Sequence, residues 1–76
     1  MSNNIIYTKH VISRASQRNI HKQQIEQTVT KPDRIALSFK GRSCAQKKFG
    51  SRALEVIYRK LNGEIVIITA YWLKEV

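Results

Sequence analysis

Arg52–Trp72 reads RALEVIYRKLNGEIVIITAYW, and its pattern decides the fold. Leu54, Val56 and Tyr58 fall on one side of an alternating run over Arg52–Lys60, the period of a half-buried strand. Asn62-Gly63 follows, a pair that tolerates positive φ at both positions and so favours a tight hairpin. Glu64–Trp72 is then apolar on both faces, which marks a strand that is central in its sheet or covered twice. Two antiparallel strands joined by a short turn are the unit from which the rest is read.

Upstream, Gly50-Ser51 turns back into Ser43–Phe49, a polar strand in which Cys44, Gln46 and Lys48 oppose Ala45, Lys47 and Phe49. Gly41-Arg42 turns again into Arg34–Lys40, with Ile35, Leu37 and Phe39 on one side and Ala36, Ser38 and Lys40 on the other. Pro32 disfavours the αR region at Lys31, so the helical half of the chain ends there. Before it, Lys22–Thr30 spaces Ile25 and Val29 for burial and leaves Lys22, Gln23, Glu26 and Gln27 outside, with His21 at the cap position. Thr8 caps a first helix over Lys9–Arg18, Asn19 supplies a left-handed stop, and Ile20 packs into the join. The expectation is one α+β domain over residues 1–76, two N-terminal helices packed on a four-stranded, mainly antiparallel sheet.

Charge is distributed unevenly along the 76 residues. Residues 1–54 carry eleven Lys or Arg against Glu26 and Asp33, whereas residues 55–76 are balanced, which leaves a net charge of +9. Such an imbalance exceeds what solubility needs and points to an anionic partner. No apolar run is long enough to cross a bilayer, and the basic residues back no strongly apolar helix face, so a membrane partner is not expected. MSNNIIYTK lacks a secretory core and Cys44 is a lone cysteine, which together suggest a reducing, cytoplasmic setting. The spacing of His10, His21 and Cys44 matches no metal-binding pattern, and neither a metal nor another cofactor is expected.

His10, Arg14 and Arg18 recur every fourth residue, with no acid anywhere between Met1 and Ile25. On a helix four residues advance about 400°, so an imidazole and two guanidiniums line one border between the buried stripe and solvent. Histidine suits acid or base work near neutral pH, and arginine offers a permanently charged fork for phosphate oxygens. RNA cleavage without a metal needs a proton carrier at the 2′-oxygen and cations at the scissile phosphate. His10 is the candidate acid or base, with Arg14 and Arg18 as phosphate clamps. Lys40, Arg42, Lys47, Lys48 and Arg52 are candidates for the flanking backbone, and Thr69 or Tyr71 for a positioned hydroxyl. The competing readings are structural: arginines reaching Glu26, Asp33 or Glu55, lysines that protect strand edges, and Tyr71 and Trp72 completing the core.

The run Y-T-K-H-V-x-x-R-A-x-x-R-N-I, followed by Q-I-E-Q-T-V-T-K-P-D, resembles a bacterial domain-of-unknown-function family, family 4258. Its members read T-x-H-A-x-x-R-M-x-x-R-G-I, then I-x-x-V-x-x-P-x. The Gly-Arg turn, the Gly-Ser-Arg-Ala-Leu-Glu-Val-Ile-Tyr strand and the final Ile-Ile-Thr-Ala-Tyr extend the likeness from about Tyr7 to Tyr71. The resemblance implies a RelE-like fold similar to RelE-type toxins, barnase and the colicin ribonucleases. It also implies metal-independent RNA cleavage within toxin–antitoxin pairs. His10, Arg14 and Arg18 stand at the motif's polar positions, and Thr69 at its final-strand hydroxyl. Asn19 for Gly, His21 for a Ser or Thr cap, and Val11 for Ala depart from the pattern, but none removes a functional side chain. The expected partners are RNA, including ribosome-associated mRNA, and an acidic antitoxin. A homodimer through the two-sided strand Ile65–Trp72 is a further expectation. The alternative function is a non-catalytic nucleic-acid or protein-binding module using the same basic face.

Overall fold

Alternation in the second half and a period near 3.6 in the first produce the elements seen in a computed structural model, which describes residues 4–37 and 39–73. In chain order these are β1 (Asn4–Tyr7), α1 (Lys9–Gln17), α2 (Lys22–Thr30) and β2 (Arg34–Leu37). A 3-10 turn over Phe39–Gly41 follows, then β3 (Ser43–Phe49), β4 (Arg52–Leu61) and β5 (Glu64–Leu73). The five strands form one mixed sheet in the order β1-β5-β4-β3-β2. All neighbours are antiparallel except β1, which runs parallel to β5. Both helices pack on the same face, α1 on β5 and α2 on β4 and β3.

The caps follow the sequence. Thr8 is extended and its hydroxyl accepts the Val11 N–H at 3.2 Å, satisfying one of the free donors of the first turn of α1. Asn19 takes φ 57, and Ile20 N–H then returns to Ala15 O at 2.8 Å. At α2 the Gln24 side-chain oxygen accepts the His21 N–H at 3.0 Å, so a residue three places on offsets a poor cap residue. Val11, Ile25, Leu54, Val56 and Ile67 are nearly or wholly shut off from solvent where the helices meet the sheet. Each such side chain contributes about 1.5–3 kcal/mol by leaving water.

Two expectations are corrected. The sheet has five strands, not four. The four-residue segment NIIY shows too little alternation to be distinguished from a loop, and its partner β5 lies at the other end of the chain. The strand from Arg34 ends at Leu37 instead of Lys40, because Lys40 (φ 59) and Gly41 (φ 74) enter the left-handed region and turn the chain. Ile35 and Leu37, which share one side of this strand, are 55% and 88% exposed because no helix reaches the outermost strand.

β5 is flanked by β4 along its length and by β1 over Glu64–Ile67. Of the expected homodimer strand Ile65–Trp72, the edge up to Ile67 is taken by β1, and beyond it no strand pairs with that edge among the described residues. The helices cover β5 on one side only. Its apparent two-sidedness has another origin. From Leu61↔Glu64 to Tyr58↔Ile67 the hairpin keeps one register, and a bulge then shifts it so that Ile57 pairs with Thr69 and Val56 with Ala70. Ile68 is the extra residue, and the inward positions pass from Ile65 and Ile67 to Ala70 and Trp72.

Because Ile67 is wholly buried at the centre of this arrangement, Ile67→Ala should lower unfolding stability by about 2–5 kcal/mol, read from the urea midpoint. Leu37→Ala, at an 88% exposed position, should stay within about 0.5 kcal/mol of the parent. Equal effects from the two substitutions would contradict the central placement of β5.

Candidate nucleic-acid interface

Burial of Val11 and Ala15 against β5 fixes the rotation of α1 and turns His10 and Arg14 to solvent. Arg18 sits half-buried at the C-cap. Its guanidinium Nη1 donates to Ala70 O at 2.9 Å, and its own carbonyl accepts from Trp72 Nε1 at 2.9 Å. The end of α1 is thereby tied to β5 by two bonds running in opposite directions. His10, Arg14 and Arg18 share one side of the helix, but successive members stand about 6 Å apart along its axis, and the outer pair about 12 Å. They form a track of charge and do not converge on one point. The dipole of α1 adds positive potential at its N-terminal end, beside Lys9 and His10, where the first turn holds no acid.

Arg52 joins this surface through the same tryptophan. Its guanidinium carbon lies 4.2 Å from the Trp72 ring centroid, and Phe49 meets that ring edge-on at 6.2 Å and 87°. Trp72 thus carries Arg52 over its ring, Phe49 against its edge and the α1 terminus on its nitrogen. It braces the arginines and is packed against the core. Lys47 is engaged differently: Nζ donates to Lys31 O at 3.0 Å and lies 3.9 Å from Asp33 Oδ1. Asp33 Oδ2 also accepts the Lys48 N–H at 2.9 Å. Lys40 and Arg42 are exposed on either side of Gly41.

Strand register divides the expected site between the two faces of the sheet. Lys47 pairs with Leu54, and Arg52 with Phe49, so both point to the helix side along with the α1 residues. Lys48, Thr69 and Tyr71 project from the opposite side, which neither helix covers. Among the described residues Lys47–Asp33 is the ion pair formed within 4.0 Å. Arg14 and Arg18 form no ion pair with Glu26, Asp33 or Glu55.

The uncovered face holds a cluster that the sequence reading did not single out. Arg34, Gln46, Glu55 and Tyr71 occupy one row across β2, β3, β4 and β5. Glu55 is only 9% exposed. Tyr71 OH donates to its Oε1 and Gln46 Nε2 to its Oε2 at 2.6 Å. Burial alone would raise this carboxyl, but the donors Tyr71, Cys44 and Gln46 outweigh it and hold it below its ordinary value. The bond to Glu55, with burial, lifts Tyr71 to about 12. Burial, and then the bond to Glu55, lifts Cys44 to about 11. Cys44 is therefore a protonated donor at neutral pH, not a nucleophile. Alternation placed Glu55 opposite Leu54 and Val56, yet a regular hairpin would have set Ala70 across from it. The bulge brings Tyr71 there instead, and nothing local announces a bulge.

A shallow groove of about 370 Å³ between the helices is lined by Tyr7, Val11, Ile12, Ala15, Ile20 and Ile25 among others, with Lys22 over the Tyr7 ring at 5.4 Å. Neither His10 nor the arginines line it. Among the described residues no three His, Cys, Asp or Glu side chains gather to hold a metal, and no helix is long and apolar enough to cross a membrane.

Because the folded carboxyl of Glu55 titrates below its unfolded value, its stabilising share is complete above the unfolded value near 4.5 and is lost as pH falls through the folded one. Glu55→Gln should cost about 1–3 kcal/mol at neutral pH and flatten the fall of the urea midpoint as the solution is acidified. A variant that loses stability in acid as steeply as the parent would show that the cluster does not hold this charge.

No curated protein and no solved structure matches the chain. A family model described as "Domain of unknown function (DUF4258)" matches residues 7–72, from the end of β1 to Trp72, nearly the whole described fold. The chain belongs to that family.

Proposed function

We propose that this protein binds RNA along its basic helix-side surface and cleaves it without a metal ion. The observation that carries the reading is the state of its cations: of the Lys and Arg among the described residues, Lys47 is the one that meets a carboxylate. A surface so charged and so little neutralised favours a polyanion. Arg14 and Arg18, one helical turn apart, suit successive phosphates, and Arg52 extends the track across Trp72.

In the catalytic form of this reading the imidazole of His10 takes the proton of a 2′-hydroxyl. The 2′-oxygen then attacks the adjacent phosphorus, and the bond to the 5′-oxygen breaks. Arg14 stabilises the charge that builds on the phosphate, while Arg18 and Arg52 hold the neighbouring nucleotide. Tyr71 is not the acid for the leaving oxygen, because it lies across the sheet with its proton held by Glu55. Water supplies that proton. Thr69, on the same uncovered face, takes no part either. The substrate includes message on the ribosome, and an acidic antitoxin would neutralise the same surface.

One observation favours the non-catalytic alternative. His10 is exposed on the first turn of α1, outside the groove between the helices, so nothing shown excludes water around it. A single pair of assays separates the forms. In EDTA, wild type should cut total RNA, and His10→Ala should abolish cutting while leaving RNA affinity within about twofold. Arg14→Ala should weaken binding across all sequences and reduce the slope of log affinity against log salt by about 0.7, the share of one single-strand phosphate contact. Salt-sensitive binding without products from the wild type identifies a binding module. Binding indifferent to salt rules out the RNA reading altogether.

A further inference from the structure

The helix layer stops one strand short of the sheet. α1 packs on β5 and α2 on β4 and β3, so the helix-side face of β2 carries no helix. Ile35 and Leu37 stand on that face, paired with Ala45 and Ser43, and are 55% and 88% exposed. β2 is also last in the strand order, hydrogen-bonded to β3 alone. Its other row of backbone N–H and C=O groups, over Arg34–Leu37, is unpaired among the described residues. Shortness, Pro32 just before the strand and Arg34 within it are common protections for an edge. Two large aliphatic side chains on the same strand work against them.

We infer that β2 is a docking edge for an extended, acidic segment of a partner protein, which adds a sixth strand to the sheet. Strand alternation dictates what that segment carries. Side chains it sends to the helix side meet Ile35 and Leu37 and are apolar. Those it sends to the uncovered side meet Arg34 and Ala36, where acidic residues are favoured. Arg34, Lys40 and Arg42 are exposed, and no carboxylate lies within 4.0 Å of them among the described residues. Charge also selects the occupant. A second copy of this chain would bring another net charge of +9 and a second Arg34–Arg42 cluster to the same edge, whereas an acidic strand is drawn to it. The inference stands apart from RNA binding, which uses the α1 side of the molecule.

The full chain, isotope-labelled, is titrated with three synthetic peptides of equal length alternating Val with Glu, Val with Lys and Ser with Glu, followed through backbone amide NMR. The Val-Glu peptide should shift the Arg34–Leu37 amides and slow their exchange with solvent. It should bind at least about tenfold more tightly than either control. Leu37→Asp alters a side chain that is 88% exposed. It should weaken that binding by a similar factor and leave the helix amides in place. Unmoved β2 amides, equal binding by the Val-Lys peptide, or perturbation centred on Arg14 would each overturn the inference. So would protection of the same amides by an oligouridylate, which would assign the edge to RNA. Protection that grows with protein concentration alone would assign it to a second copy and overturn the inference likewise.

Discussion

The bulge at Ile57–Tyr58 decides which residues of β5 meet the helices, and most of the molecule depends on it. Without the extra residue, Thr69 and Tyr71 would face α1 and Trp72 would face away. With it, Ala70 and Trp72 turn inward, where both bond Arg18, and Tyr71 turns outward to Glu55. One inserted residue thus sets the helix anchor on one face and the carboxylate cluster on the other. Bulges re-aim side chains in this way at the cost of one unpaired position in the ladder.

The two faces that result are chemically unlike. The helix side presents Arg14, Arg18 and Arg52, the last two tied to one indole ring by a hydrogen bond to the Arg18 carbonyl and a stacking contact with Arg52. The other side is organised around an anion. Glu55 is held in the sheet by hydroxyl and amide donors and flanked in its row by Arg34 beyond Gln46. A buried charge without partners is expensive, but one bonded at both oxygens ties together the strands that supply its donors. The carboxylate face and the cationic face share β4 and β5.

Legibility in the sequence followed the range of the physics involved. Thr8, Pro32 and Asn62-Gly63 act within a few residues, and the elements they bound stand close to where their chemistry put them. β1 did not show itself because a strand of four residues has meaning only beside its partner, and that partner is β5. Ile35 and Leu37 alternate as core residues do, yet core status also requires a covering layer, which β2 lacks. At the interface, the fourfold spacing gave the common side of His10, Arg14 and Arg18. The tie from Arg18 to Ala70 and the split of the basic residues across two faces come from tertiary packing. Glu55 was hidden for the same reason, since its partners arrive through a register that no local signal encodes.

The parallel pairing of β1 with β5 carries a consequence for biogenesis. Ile5 is matched to Ile65, so the earliest described strand to leave the ribosome waits for the latest before it has a neighbour. The helices and the β3–β4–β5 meander are assembled from local contacts, but the sheet gains its outer member only through closure of a loop nearly as long as the described chain. Such closure carries a large entropic cost before any pairing rewards it. Completion of the sheet accordingly waits for Glu64–Ile67 to be made, and until then the backbone edge of β1 has no strand to pair with.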